Sequence, residues 1–232
     1  IEYLSYGGFP EVALSGSAER KTELLRNYFL DILVKDAARR FGVAKLGKFE
    51  QLARNYISNI SSIQSFNRLK RELGISLDTV ERYSGYLATA GLFTFLEKFS
   101  FSVTEQARGM KKVYAADTGF YTSSGFRFMD NMWRVMENAV AVSLLAEAAG
   151  ATDLEVYYYR TESHEVDFVV KRGARVERLV QVTYASTREE VGKREVRSIA
   201  RAAEEVRCGR LEVVTWDYEG AEAVGDGSGR EV

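Results

Sequence analysis

The sequence predicts an α/β (α+β) chain in two parts, helical through its first half and mixed in its second, on three observations. Apolar residues recur at helical spacing from Arg20 to Ile60. Two helical runs around a glycine turn, then two strand-like runs, occupy Ser65 to Ala115. From Met132 a long helical run leads to three strand-like runs, a charged helical run and a fourth strand. At 232 residues and 46% hydrophobic content, the chain can bury a sizeable core in one large domain or two small ones. No apolar run approaches the roughly 20 residues a membrane helix needs. No basic-then-apolar leader opens the chain, so a cytoplasmic location is expected. The single cysteine, Cys208, and single histidine, His164, exclude an internal disulfide and a multi-cysteine zinc site. Chemistry is left to carboxylates, lysines and hydroxyls.

The chain opens without an initiator Met on Ile1, and Gly7-Gly8-Phe9-Pro10 reads as a stiff turn; a piece of something longer is expected. Leu24, Leu25, Tyr28, Phe29, Ile32 and Leu33 line one face of a helix from Arg20 to Phe41. Phe49, Leu52, Ala53, Tyr56 and Ile57 line a second from Leu46 to Ile60. Ser65 caps a short helix through Leu73, Gly74 turns the chain, and Ser76 or Asp78 caps a helix that stops at Gly91. Leu92–Phe99 and Lys111–Ala115 then read as a two-stranded ribbon. This is the winged helix-turn-helix pattern, and it closes a first domain expected over 1–125. Were it to bind DNA, the helix from Leu77 would enter the major groove with Thr79 and Arg82, and with Ser84 or Tyr86, near the bases. Arg68, Lys70 and Arg71 would meet phosphates. That helix carries one Arg and no Lys, Asn or Gln, so a protein-contact role stays open. Residues 1–130 sum to +4 and the rest to −5, which suits an anionic partner for the first half or two surfaces of differing composition.

In the second half, Trp133, Met136, Val140, Leu144 and Leu145 line a helix from Met132 to Ala149, stopped by Gly150. Strands are expected at Leu154–Arg160, Glu165–Val170, Arg178–Tyr184 and Leu211–Trp216, with a turn at Lys171–Arg175 and a helix from Arg188 to Arg207. The Gly-rich acidic stretch 219–232 is expected to be a loose, flexible tail. Strand alternation puts Glu165 and Asp167 on one face, and Val166 and Phe168 on the other. Two carboxylates on an apolar strand require cations or a metal. Gln181 and Thr183 share a face of the next strand, and Glu137 projects from the helix among Val135, Met136 and Val140. The plainer alternatives are ion pairs of Glu165 and Asp167 with Arg160 or Arg178, and a local pair for Glu137. Asp117-Thr118-Gly119 reads as a turn in which Asp117 accepts from following amides.

An acid on a helix, Glu-x-Asp on a strand, a hairpin and x-Val-x on the next strand resemble the PD-(D/E)XK nuclease superfamily. Five phrases narrow the likeness: Tyr6-Gly7-Gly8-Phe9-Pro10-Glu11-Val12, Leu25 to Asp36, Lys112 to Phe120, Met136-Glu137-Asn138-Ala139-Val140, and Glu165 to Val170. In that order they resemble the C-terminal region of archaeal and bacterial AAA-type ATPases that carry a nuclease-like domain. The resemblance implies a restriction-endonuclease-like domain over 126–218 behind the winged helix. It implies an ATPase module ahead of this chain, which would hold ATP; no phosphate-loop pattern occurs within it. Glu137, Glu165 and Asp167 match the metal-holding acids and would hold Mg²⁺. Glu137, Asp167, Gln181 and Thr183 match the catalytic set, with Gln181 and Thr183 in place of the acid and lysine. A neutral amide is a weak metal ligand and a hydroxyl supplies no cation, so the site reads as degenerate. The implied function is the effector, nucleic-acid-binding region of an AAA-type ATPase. Its partners are DNA and its own ATPase module, with no membrane and with oligomerisation open. An active Mg²⁺-dependent DNA endonuclease and an interaction or oligomerisation scaffold are the alternatives.

Overall fold

A computed structural model describes residues 1–124 and 131–221, and the backbone of 223–224 and 230–231. The expected domain boundary at 125/126 and much of the expected tail fall outside the described residues. The chain divides into two compact units, Ile1–Phe95 with Met110–Ala139, and Leu96–Gly109 with Val140–Val232. Among the described residues, no helix is long and apolar enough to cross a membrane.

The first unit begins with two short helices, α1 (Glu2–Tyr6) and α2 (Pro10–Leu14), and the longer α3 (Ala18–Asp31). Ser17 caps α3 by accepting the Arg20 N–H. The single helix expected to Phe41 widens at its end into a π-helix, Ile32–Arg39, that buries Leu33, Ala37 and Ala38. A π segment embedded in a longer helix has no propensity signature of its own, so the sequence reads as one continuous helix. Next come α4 (Leu46–Ser58), β1 (Ser62–Gln64), α5 (Phe66–Leu73), α6 (Leu77–Thr89) and β2 (Phe93–Leu96). The caps fall where local chemistry dictates: Ser65 accepts the Arg68 N–H, Gly74 turns left-handed, and Ser76 rather than Asp78 accepts the Thr79 N–H.

In this unit, β3 (Lys111–Ala115) lies between β1 and β2 in a three-stranded sheet ordered β1-β3-β2. Strand β1, absent from the sequence expectation, pairs antiparallel with β3 through Ser62↔Val113. Phe49, Leu52, Tyr56, Leu69, Val80 and Leu87 form the core between helices and sheet. Each contributes roughly 1.5–3 kcal/mol through burial. A further helix, α8 (Thr118–Ser123), is capped by Asp117.

In the second unit, the run expected as one strand, Leu92–Phe99, ends differently. Phe99 N–H donates to Tyr158 O and Tyr158 N–H donates to Glu97 O, which lays 97–99 beside β4 (Leu154–Arg160). A short helix, α7 (Val103–Arg108), follows. The sheet continues β4-β5-β6-β7, with β5 (Glu165–Arg172), β6 (Arg175–Val182) and β7 (Leu211–Val214). The first three strands are antiparallel and β7 runs parallel to β6. The hairpin turn is tighter than the expected Lys171–Arg175, closing at Gly173 with φ +56°. The charged helix α10 (Lys193–Val206) starts later than Arg188 and packs Ile199, Ala202, Ala203 and Val206 on Tyr157, Val166, Val169 and Leu179.

That packing corrects the alternation expected of β5. Val166 and Val169, not Val166 and Phe168, share the α10 face. The register slips where Tyr157 pairs with Val169 but Tyr159 with Val166, so β5 carries one extra residue opposite Tyr158. A bulge shifts the two-residue period by one, and nothing local in Glu-Val-Asp-Phe announces it. The helix α9 (Met132–Ala149) has the expected bounds. Its Trp133, however, is 45% exposed, while Met132, Val135, Met136, Glu137 and Asn138 are buried.

Candidate functional site

Glu137, the acid expected to hold a metal, belongs to the first unit and sits against β3. Strand alternation turns Lys112 and Tyr114 to the same side. The Glu137 Oε1 receives the Tyr114 hydroxyl at 2.7 Å and the Lys112 Nζ at 2.9 Å. Lys112 is 2% exposed and Glu137 3%. Beside them, Asn138 accepts the Ala115 N–H at 2.8 Å and donates to Ala115 O at 2.9 Å, satisfying a stretch of β3 backbone as a neighbouring strand would. A buried carboxylate therefore meets a buried ammonium and a phenol. Lys112 was not among the sequence candidates. The available signal was Lys-x-Tyr on a strand and, on the facing helix, an acid within an apolar stretch.

Asp167, in the second unit, is buried and strapped across the sheet. The Val182 N–H donates to its Oδ2 at 3.0 Å, and the Asp167 N–H donates to Gln181 Oε1 at 3.3 Å. The β5–β6 ladder runs only as far as Phe168↔Val180, so these side-chain bonds satisfy backbone groups where the strands part. The structure thus brings Asp167 and Gln181 together. Glu165 lies opposite Arg160 in the β4–β5 pair, with its carboxylate 3.8 Å from the guanidinium. Thr183 continues the parallel pairing, its N–H donating to Val214 O. Arg178, the other cation considered for the carboxylates, pairs with Glu147 and Glu212. His164 is buried beside Glu205, with Ser163 and Thr161 hydroxyls at its Nδ1.

These donors do not fit a Mg²⁺ ion, which takes near-octahedral oxygen ligands. Glu137 is held by a lysine, Asp167 by a backbone amide, and Gln181 offers a neutral oxygen already receiving an N–H. Among the described residues, no three His, Cys, Asp or Glu side chains are grouped to hold a metal.

The sequence candidates for DNA contact lie in the first unit. Arg68, Lys70 and Arg71 are exposed on α5, and Arg68 Nε is 3.2 Å from Glu72. On α6, Arg82 lies 3.6 Å from Asp78, and the Thr79 hydroxyl bonds that of Ser76 at 2.7 Å. Ser84 is buried against the Tyr56 hydroxyl at 2.7 Å and faces away from any groove. Tyr86 remains at the surface, half-buried.

Asp117 ties the start of the chain to α8. Its Oδ2 receives the Gly8 N–H and its Oδ1 the Gly119 N–H, both at 2.8 Å. Burial pushes its carboxyl above the ordinary value, against the opposing pull of these two N–H groups. A Cβ on Gly7, whose φ is +72°, would fall 1.6 Å from Asp117 Oδ1. Glycine at position 7 is therefore dictated by close approach as well as by backbone conformation.

In comparison with known proteins, two family models match, one over each half of the chain. A family described as a domain of unknown function (DUF8612) matches residues 1–127, and a second so described (DUF4143) matches 134–227. An uncharacterized protein of Methanocaldococcus jannaschii is 28% identical over 96% of this chain and 50% of its own length. An uncharacterized protein of Haemophilus influenzae is 23% identical over 74% of this chain and 42% of its own length. The chain thus spans about half the length of the curated relatives it matches, or less. No solved structure matches it.

Proposed function

As a member of the DUF8612 family with a DUF4143 domain behind it, this chain is, we propose, the effector region of an AAA-type ATPase that binds nucleic acid without cutting it. DUF4143 is a domain often found in the C-terminal regions of such ATPases. The order helix, strand, helix, helix, strand, strand with sheet order β1-β3-β2 supports a winged helix in the first unit. The order α9-β4-β5-β6-α10-β7, with only the last strand parallel, supports a restriction-endonuclease-like ancestry for the second half.

The observation that carries the non-cutting reading is the Lys112–Glu137 pair. A nuclease of this type spends its helix acid on a metal, and here that acid is neutralised by a buried lysine. Gln181 and Thr183 point the same way. Incubation with plasmid and single-stranded DNA in Mg²⁺ or Mn²⁺ should leave the DNA intact. Metal-dependent nicking that vanishes in Asp167→Ala would refute this. The ATPase half is tested by reading the gene upstream of the Ile1 codon, where a phosphate-loop motif is expected and its absence would remove the reading.

One observation favours the interaction-scaffold reading. Helix α6 exposes Asp78, Glu81 and Arg82, with Arg82 engaged by Asp78, which is a poor surface for phosphates.

A further inference from the structure

The turn joining the π-helix to α4 differs from α6 in charge. From Ala37 to Phe49 the chain carries Arg39, Arg40, Lys45 and Lys48 and no acid. Arg39, Arg40 and Lys45 are exposed and Lys48 is half-buried. Among the described residues no carboxylate pairs with the first three, and Lys48 Nζ meets only the neutral Gln51 Oε1, at 3.3 Å. Four cations within ten residues, with no acid among them, favour an anionic partner.

An aromatic stack stands in the middle of these charges. Phe41, half-buried, lies parallel to Tyr86 of α6, with ring centroids 4.3 Å apart and 4° between planes. The Arg40 guanidinium lies over the Phe41 ring, 5.5 Å from its centroid. Gly42 follows with φ +60° and open space where a Cβ would sit, so nothing crowds the turn on that side. Planar groups interleaved with unpaired cations suit a strand whose bases are free to stack and whose phosphates follow the basic turn. A duplex offers no exposed base faces, and the one arginine of α6, Arg82, is already engaged by Asp78.

We propose that single-stranded nucleic acid binds across this turn, its phosphates on Arg39, Arg40 and Lys45 and a base against the Arg40–Phe41–Tyr86 stack. This rests on the nucleic-acid-binding reading above and moves its principal contact from α5 and the α6 groove face to the turn.

The test is fluorescence anisotropy on the full chain, with a labelled oligothymidylate of about 20 nucleotides, longer than one binding site of this kind, and a duplex of equal length. The single strand should bind more tightly than the duplex. Arg39→Ala with Arg40→Ala should cost about ten-fold or more in affinity at low salt, and reduce the slope of log K against log salt by about 1.4. Tyr86→Ala should cost about ten-fold through lost stacking, while Tyr86→Phe stays within about two-fold. The arginine variants lie on the surface and Tyr86→Phe keeps the ring, so the comparison survives should Tyr86→Ala fail to fold. Three results overturn the inference while leaving nucleic-acid binding intact. They are tighter binding of the duplex, indifference to all the turn variants, or loss of binding confined to Arg68→Ala with Arg71→Ala. Absence of binding to either DNA at low salt overturns the underlying reading and the inference with it.

Discussion

Replacing Lys112 by Met tests what holds α9 to β3. The methylenes of Met fill much of the lysine's space, so the change chiefly removes the ammonium 2.9 Å from Glu137. The carboxylate stays buried, and it keeps the Tyr114 hydroxyl at 2.7 Å but loses this ammonium. Removing one partner of a buried ion pair costs about 3–5 kcal/mol, because the surviving charge is stranded in a medium that solvates it poorly. For a chain of 150–250 residues each kcal/mol moves the midpoint by about 2–4 °C, so thermal melting by far-ultraviolet circular dichroism should fall by roughly 6–20 °C. Adding Glu137→Gln removes the stranded charge. The double variant should return to within about 1–2 kcal/mol of wild type, because apolar or neutral replacements for a buried pair are often nearly neutral. The coupling is thus large and of opposite sign to additivity. A Lys112→Met variant that melts within about 2 °C of wild type would refute the argument, as would a double variant whose loss equals the sum of the two singles.

Asp167→Ala should destabilise by about 1–3 kcal/mol in urea unfolding, since it leaves the Val182 N–H buried without its acceptor, and Asp167→Asn should cost less. Equal costs for the two would show that the strap does not act through that acceptor. Gly85 lies exposed in the interior of α6 with open space around a built Cβ, so Gly85→Ala should stabilise by about 0.5–1 kcal/mol; a loss would mean the helix face is not free in solution. Asp117 supplies a pH dependence. Its folded pKa lies above the ordinary 3.8, so it contributes stability that is full below that value and lost as pH rises through the folded one. The melting advantage of wild type over Asp117→Asn should therefore narrow as pH rises above about 4; an advantage that widens with pH contradicts the burial argument.

Much of the chain is legible from local chemistry alone. The helices α4, α5, α6 and α9 lie where periodicity and the signals at Ser65, Gly74, Ser76 and Gly150 put them, because a cap or a helical face is decided within a few residues. The strands β4, β5 and β7 follow from β-branched and aromatic runs for the same reason, though their ends shift by a few residues. What the sequence left open depends on partners distant along the chain. Strand β1 exists only because β3 pairs with it, and the extra residue in β5 only because Val166 and Val169 both pack on α10. The π-helix keeps Leu33, Ala37 and Ala38 buried, a demand no local propensity encodes. The candidate site divides along the same line. Residue type alone showed that Gln181 and Thr183 depart from an acid and a lysine. That Glu137 faces Lys112, and that Asp167 holds a backbone amide, was decided by tertiary packing, because the charge state a buried carboxylate can sustain depends on what the fold sets against it.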